Sequence, residues 1–132
     1  TAAVLPEVLR QLPLHVSLFW EELARASVPS CSIGGYQWGP ARRWWGTGSD
    51  GGPMELDAVA ESMDGKAVLI GEAKWNAADI HASAAKDRLL SLAKNCPFVR
   101  GREIVPVIWA KRARKNPDVH ILTPDVVLDG LH

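Results

Sequence analysis

An excess of charge of either sign is missing from this chain. Fifteen Lys and Arg balance fifteen Asp and Glu, so the formal net charge is zero. A chain-wide electrostatic attraction for nucleic acid is therefore absent, and any such contact has to use a local patch. Cysteine is scarce: Cys31 and Cys96 lie far apart and in no CxxC pattern, which argues against a thiolate zinc site. Two free thiols in a reducing compartment are expected, with a disulfide as the alternative. No run reaches the roughly 20 apolar residues that span a bilayer, and no signal peptide opens the chain. A soluble cytoplasmic protein without a membrane partner is expected. No GxxxxGK[ST] occurs, so a nucleotide-hydrolysing partner domain would lie outside this chain. His15, His81, His120 and His132 form no ligand-spaced set, and neither repeats nor low-complexity segments are present. Thr1 stands where Met is usual, as expected of a processed chain or a piece of a longer one.

With 132 residues, 47% of them hydrophobic, one domain over 1–132 with a true core is expected, the core covering about 14–123. Leu5, Val8, Leu9 and Leu12 make one helical stripe. Pro13 breaks the pattern, and Val16, Phe19, Trp20, Leu23 and Ala26 make a second over 14–27. A strand is expected near 31–38. Arg42-Arg43-Trp44-Trp45 then runs into the polar loop GTGSDGGP. Strands follow at 54–61 and 66–74, then a helix over 76–95 with Asn76 as N-cap. Further strands are expected at 104–110 and 118–123, the first with Pro106 marking an edge or bulge. This order predicts an α+β fold of αβββαβ type, a mixed central sheet flanked by helices.

The hairpin MELDAVAESMDGKAVLIGEAKW carries the chemistry. Asp64-Gly65 predicts a two-residue type I′ turn. Cross-strand partners then sum to 129, which sets Asp57 opposite Glu72 and Glu55 opposite Lys74, all on one face. A four-residue loop keeps that register. Like charges directly opposite destabilise a sheet, so one carboxylate must hold a proton or find a cation. Mg²⁺ takes oxygen ligands, often one or two carboxylates with waters and phosphate oxygens. The competing reading is a structural ion network, with Glu55–Lys74 as a cross-strand salt bridge.

An acidic residue in one strand and E-x-K in the next resembles the PD-(D/E)XK nuclease superfamily. Asp57 and Glu72-Ala73-Lys74 carry the pattern here. MELDAVA followed by LIGEAKW is similar to the E-I-D…E-x-K variant of archaeal Holliday-junction resolvases, and FWEELA resembles the F-E segment of their first core helix. RRWWG with ELDAVA and GEAKW resembles the uncharacterised nuclease-like domain at the C-terminal end of certain prokaryotic AAA-type ATPases. The superfamily's Pro-Asp pair is missing, since Pro53 precedes Asp57 by four residues. The resemblance covers about residues 14–110. It implies a restriction-endonuclease-like core and a metal-dependent DNA endonuclease. Asp57, Glu72 and the Ala73 carbonyl would bind Mg²⁺ or Mn²⁺. Lys74 would position and help deprotonate the attacking water. Glu21 would contact a metal-bound water, with Glu22 as its alternative, and Glu55 would steady Lys74 or a second ion.

Arg42, Arg43, Lys111, Arg112, Arg114 and Lys115 are candidate contacts to DNA phosphates, duplex or branched. A solvated loop is the plain alternative for 111–115. Of the six tryptophans, Trp44 and Trp45 point to opposite faces if they form a strand, and core packing or an interface competes with stacking on an unpaired base. The second functional reading is a nuclease fold kept as a catalytically weak module for DNA binding, docking or dimerisation, attached to an ATPase. A plain structural domain ranks third.

Overall fold

The computed structural model describes residues 4–75, 82–111 and 119–131, with the side chains of its first helix described from Val16 onward. Helix α1 spans Val4–Ser27. Two 3-10 turns, Val28–Ser30 and Ile33–Gly35, lead to strand β1 at Arg42–Thr47. Strands β2 (Pro53–Glu61) and β3 (Ala67–Lys74) form the hairpin. Helix α2 (Ala82–Lys94), strands β4 (Glu103–Ala110) and β5 (His120–Leu122), and helix α3 (Pro124–Gly130) complete the fold.

The five strands form one mixed sheet in the order β1-β2-β3-β4-β5. β1, β2 and β3 are antiparallel neighbours, whereas β3–β4 and β4–β5 are parallel. Parallel pairing requires a crossover, and α2 supplies the one between β3 and β4. Each face of the sheet carries its own core. Trp20 and Ala24 of α1 and Val28 of the turn after it pack with Ala58, Ala60, Leu69, Val107 and Trp109 on one side. Leu89 and Ala93 of α2 pack with Val59, Val68, Ile70 and Ile108 on the other. β3 and β4 are covered on both faces, which is why their sequences read as nearly unbroken apolar runs.

Several local expectations change. α1 is continuous through Pro13, where two helices were expected; proline removes one intrahelical donor without obliging the backbone to stop. Its buried stripe is Trp20, Ala24 and Ser27, continued by Val28 of the following turn, and Phe19 is 61% exposed. No strand forms over 31–38. Gly34 and Gly35 take positive φ of 66° and 81°, which curls the chain into a turn, and only Trp38 makes an isolated bridge, to Ser62. Arg42–Thr47 is the strand instead. Pro106 lies inside β4 opposite Ile70, one residue before pairing with β5 begins at Val107, where β4 is still locally an edge. The closing tail is a helix with Pro124 in its first turn. Asn76 and most of the basic loop lie outside the described residues. Cys31 and Cys96 are both free thiols. No helix of the described residues is long and apolar enough to cross a membrane.

Candidate metal and phosphodiester site

The hairpin register is the expected one. Ala58↔Gly71, Val59↔Ile70, Ala60↔Leu69 and Glu61↔Val68 are partners, each summing to 129. The turn differs. Ser62 N–H donates to the Ala67 carbonyl at 3.0 Å, so the loop has four residues, Met63–Lys66. Only Gly65, at φ 75°, takes the left-handed conformation that type I′ demands of both central residues. Asp64 closes the loop by accepting hydrogen bonds from Ser62 Oγ at 2.6 Å and Lys66 N–H at 3.0 Å.

A bulge decides what faces what. Arg42 pairs with Val59, but Trp44 pairs with Leu56. Two steps along β1 match three along β2, so Asp57 and Ala58 together oppose Arg43. The recorded β2–β3 partners end at Ala58 and Gly71, and beyond them β2 stays paired with β1 and β3 with β4. The two strands open there as a fork. The extra residue turns Asp57 toward α1, whereas Glu72 reaches α2. The expectation that Glu55, Asp57, Glu72 and Lys74 share one face is therefore corrected.

Asp57 is held at three points. Its Oδ2 accepts the Ala73 N–H at 2.9 Å, across the fork. Its carbonyl accepts Arg25 Nη1 at 2.8 Å. Its carboxylate shares a hydrogen bond with Glu21. Trp20, next to Glu21, anchors α1 over the site by donating Nε1–H to the Trp109 carbonyl at 3.3 Å. Trp109 is the β4 partner of Ala73. Burial, then the charge of Asp57, raises the Glu21 pKa above its ordinary value against the opposing pull of Arg25 and Arg43. Glu21 is half-buried and Glu22 exposed, so the helix offers Glu21.

Glu72, with its side chain 16% exposed, bridges Lys74 Nζ at 3.1 Å and also binds Arg88 of α2. Glu55 does not meet Lys74. It pairs with Arg43, the residue two before its β1 partner Trp45. Arg43 also lies within the charge field of Glu21 and Asp57. Arg42 projects from the opposite face, where it joins Arg100 and Arg102 around Glu61. Lys111 lies over the Trp75 ring at 5.2 Å, just past the ends of β3 and β4. Arg112, Arg114 and Lys115 lie outside the described residues.

Glu21, Asp57 and the Ala73 N–H thus meet on the α1 side of the fork, whereas Glu72, Lys74 and Arg88 meet on the α2 side. Among the described residues, no three His, Cys, Asp or Glu side chains stand close enough to hold a metal ion by themselves. The donors present are oxygens only, which suits Mg²⁺ or Mn²⁺ and not a thiolate-seeking ion. Sequence reasoning missed Arg88 and the bulge, for neither of which the sequence gave a signal. Arg25 was legible as the i+4 neighbour of Glu21.

The model of the family described as archaea bacterial proteins of unknown function matches residues 1–87, about two thirds of the chain. The chain belongs to that family. The matched span includes α1, β1, β2 and β3, and with them every residue of the fork. No curated protein and no solved structure matches the chain.

Proposed function

We propose that the fork is the site of a metal-dependent DNA endonuclease that hydrolyses phosphodiester bonds, as the resemblance to the PD-(D/E)XK superfamily implies. The observation that carries the reading is the contact between Glu21 and Asp57, beside Glu72-Ala73-Lys74. The charge of Asp57 opposes ionisation of Glu21, and a divalent cation beside them would remove that repulsion. Mg²⁺ needs only one or two protein carboxylates when waters and phosphate oxygens complete its shell, so a set of fewer than three close acidic side chains fits it.

Asp57 and Glu72 would hold the ion from either side of the fork. Ala73 directs its N–H into the fork, and in an extended strand a residue's C=O leaves on the same side, so its carbonyl borders the same space. Bound there, Mg²⁺ or Mn²⁺ supplies Lewis-acid stabilisation of the phosphate and a water of lowered pKa. Lys74 would orient a water for attack at phosphorus and stabilise the negative charge that grows as its proton leaves. One P–O bond forms, one breaks, and the products are a phosphate monoester and a free hydroxyl. Glu21 orients water from the α1 side. Arg43 offers a phosphate contact at the β1 side.

One observation favours a second reading. Glu72 is already neutralised by Arg88 and Lys74, and Asp57 already accepts a backbone N–H. Such a site suits a module with little catalysis, kept for DNA binding, dimerisation or docking to an ATPase. Incubation with supercoiled plasmid, a branched duplex and single-stranded DNA in Mg²⁺ or Mn²⁺ separates the two. Cleavage that disappears in Asp57→Ala, in Lys74→Ala and with chelator supports the endonuclease. Absence of cleavage on every substrate, with protein in excess, supports the module.

A further inference from the structure

Trp45 is left in solvent by a fold that covers its other tryptophans. Among the described residues it is 70% exposed, whereas Trp20, Trp38 and Trp109 are buried and Trp44 packs edge-on against Phe98 at 5.2 Å. A flat apolar surface of that size is not left open without a cost. Its position is specific. Alternation along β1 puts Trp45 on the same face as Arg43, and both lie against Glu55 at the fork. The Arg43 guanidinium sits 5.6 Å from the Trp45 ring centroid. Beside the ring is a recess of about 430 Å³ lined by Trp45, Gly46, Pro53, Met54 and Glu55.

We propose that Trp45 is a stacking platform for an unpaired nucleobase, with Arg43 engaging the phosphate of the same strand, so that the site takes single-stranded or locally unpaired DNA in preference to intact duplex. This rests on the phosphodiester reading of the fork and names its substrate class. The indole face accepts any base, so the preference is for strandedness and not for sequence. A base inside a duplex has both faces covered by its neighbours and is not available to the ring. The partner is a nucleic acid and not a protein strand, because Arg42 and Arg43 stand adjacent on this edge strand, where charged side chains discourage strand addition, and Arg43 exchanges Glu55 for the phosphate.

The test is equilibrium binding of a labelled single-stranded oligonucleotide and of its blunt duplex, without divalent metal, by fluorescence anisotropy. Trp45→Ala is expected to weaken single-strand binding by about 5- to 150-fold, the range for loss of one base–aromatic stack. Trp45→Phe restores most of the affinity. Duplex binding changes by less than about threefold. The proposal is overturned if Trp45→Ala binds the single strand as wild type does, or if both substrates weaken equally. It is also overturned if sedimentation shows that Trp45→Ala merely converts a dimer to a monomer. Lys74→Ala is the control for the parent reading. If no substrate is cleaved by the wild type while single-strand binding still depends on Trp45, hydrolysis fails and the platform stands. If cleavage depends on Lys74 but Trp45→Ala cleaves both substrates normally, the reverse holds.

Discussion

Gly71→Ala tests how the floor of the site is built. Gly71 is the last β3 residue paired with β2 and directly precedes Glu72. A Cβ placed on it would lie 2.1 Å from Cζ3 and 2.8 Å from Cη2 of Trp109. Trp109 is fully buried, so the ring has no free volume to move into. Forcing one carbon into a packed core costs about 1–3 kcal/mol. Alanine recovers about 0.5–1 kcal/mol of the conformational cost of glycine in a strand. The overlap exceeds an ångström, which puts the first figure at the top of its range and the net near 2 kcal/mol. For a domain of this size Tm should fall by about 5–10 °C. Thermal melting followed by circular dichroism, with urea denaturation alongside, measures it. Trp109→Leu in the same chain should absorb part of the loss, with a coupling of about 1 kcal/mol or more in the double-mutant cycle. A Gly71→Ala chain that melts at or above the wild type would refute the packing argument.

Other consequences follow from the same geometry. The raised pKa of Glu21 means that the native state holds its proton more tightly than the unfolded chain. The stability this gives is complete below the ordinary glutamate value and is lost as pH rises through the raised one. Glu21→Gln should therefore match the wild type in Tm at about pH 4 and exceed it at about pH 7; a gap that does not change with pH contradicts the contact with Asp57. Burial pushes the Cys96 thiol up to about 11. Iodoacetamide at about pH 8 should modify Cys96 only after denaturant is added, as peptide mapping would reveal. Arg88 competes with a cation for Glu72. Since an exposed pair of this kind is worth about 0–1 kcal/mol, Arg88→Ala should tighten Mn²⁺ binding by up to about fivefold. Weaker binding in that variant would mean that Arg88 supports the site.

Much of this arrangement was legible before any coordinates. The register was, because Asp64-Gly65 marks a turn and a loop of two or four residues preserves the same pairing. The rotation of the apolar stripe of α1 onto Trp20, Ala24 and Ser27, which brings Glu21 to its flank, was not. The shared face was not legible. A bulge inserts one residue with no signature of composition, and its place opposite Arg43 depends on pairing with a strand the sequence left as an approach to a loop. Nor was the neutralisation of Glu72, because Arg88 meets it only after the crossover helix packs on β3. The two left-handed glycines near residue 35 look the same in sequence as glycines in a strand, and only their dihedrals separate the cases.

Titration of the pure chain with Mn²⁺, followed by loss of the free-ion electron paramagnetic resonance signal, tests metal binding at the fork without recourse to cleavage. Saturable binding is expected, weakened by Asp57→Asn and by Glu72→Gln and displaced by Mg²⁺, in chains that remain folded by circular dichroism. Binding that is absent into the millimolar range, or that neither substitution affects, would contradict it.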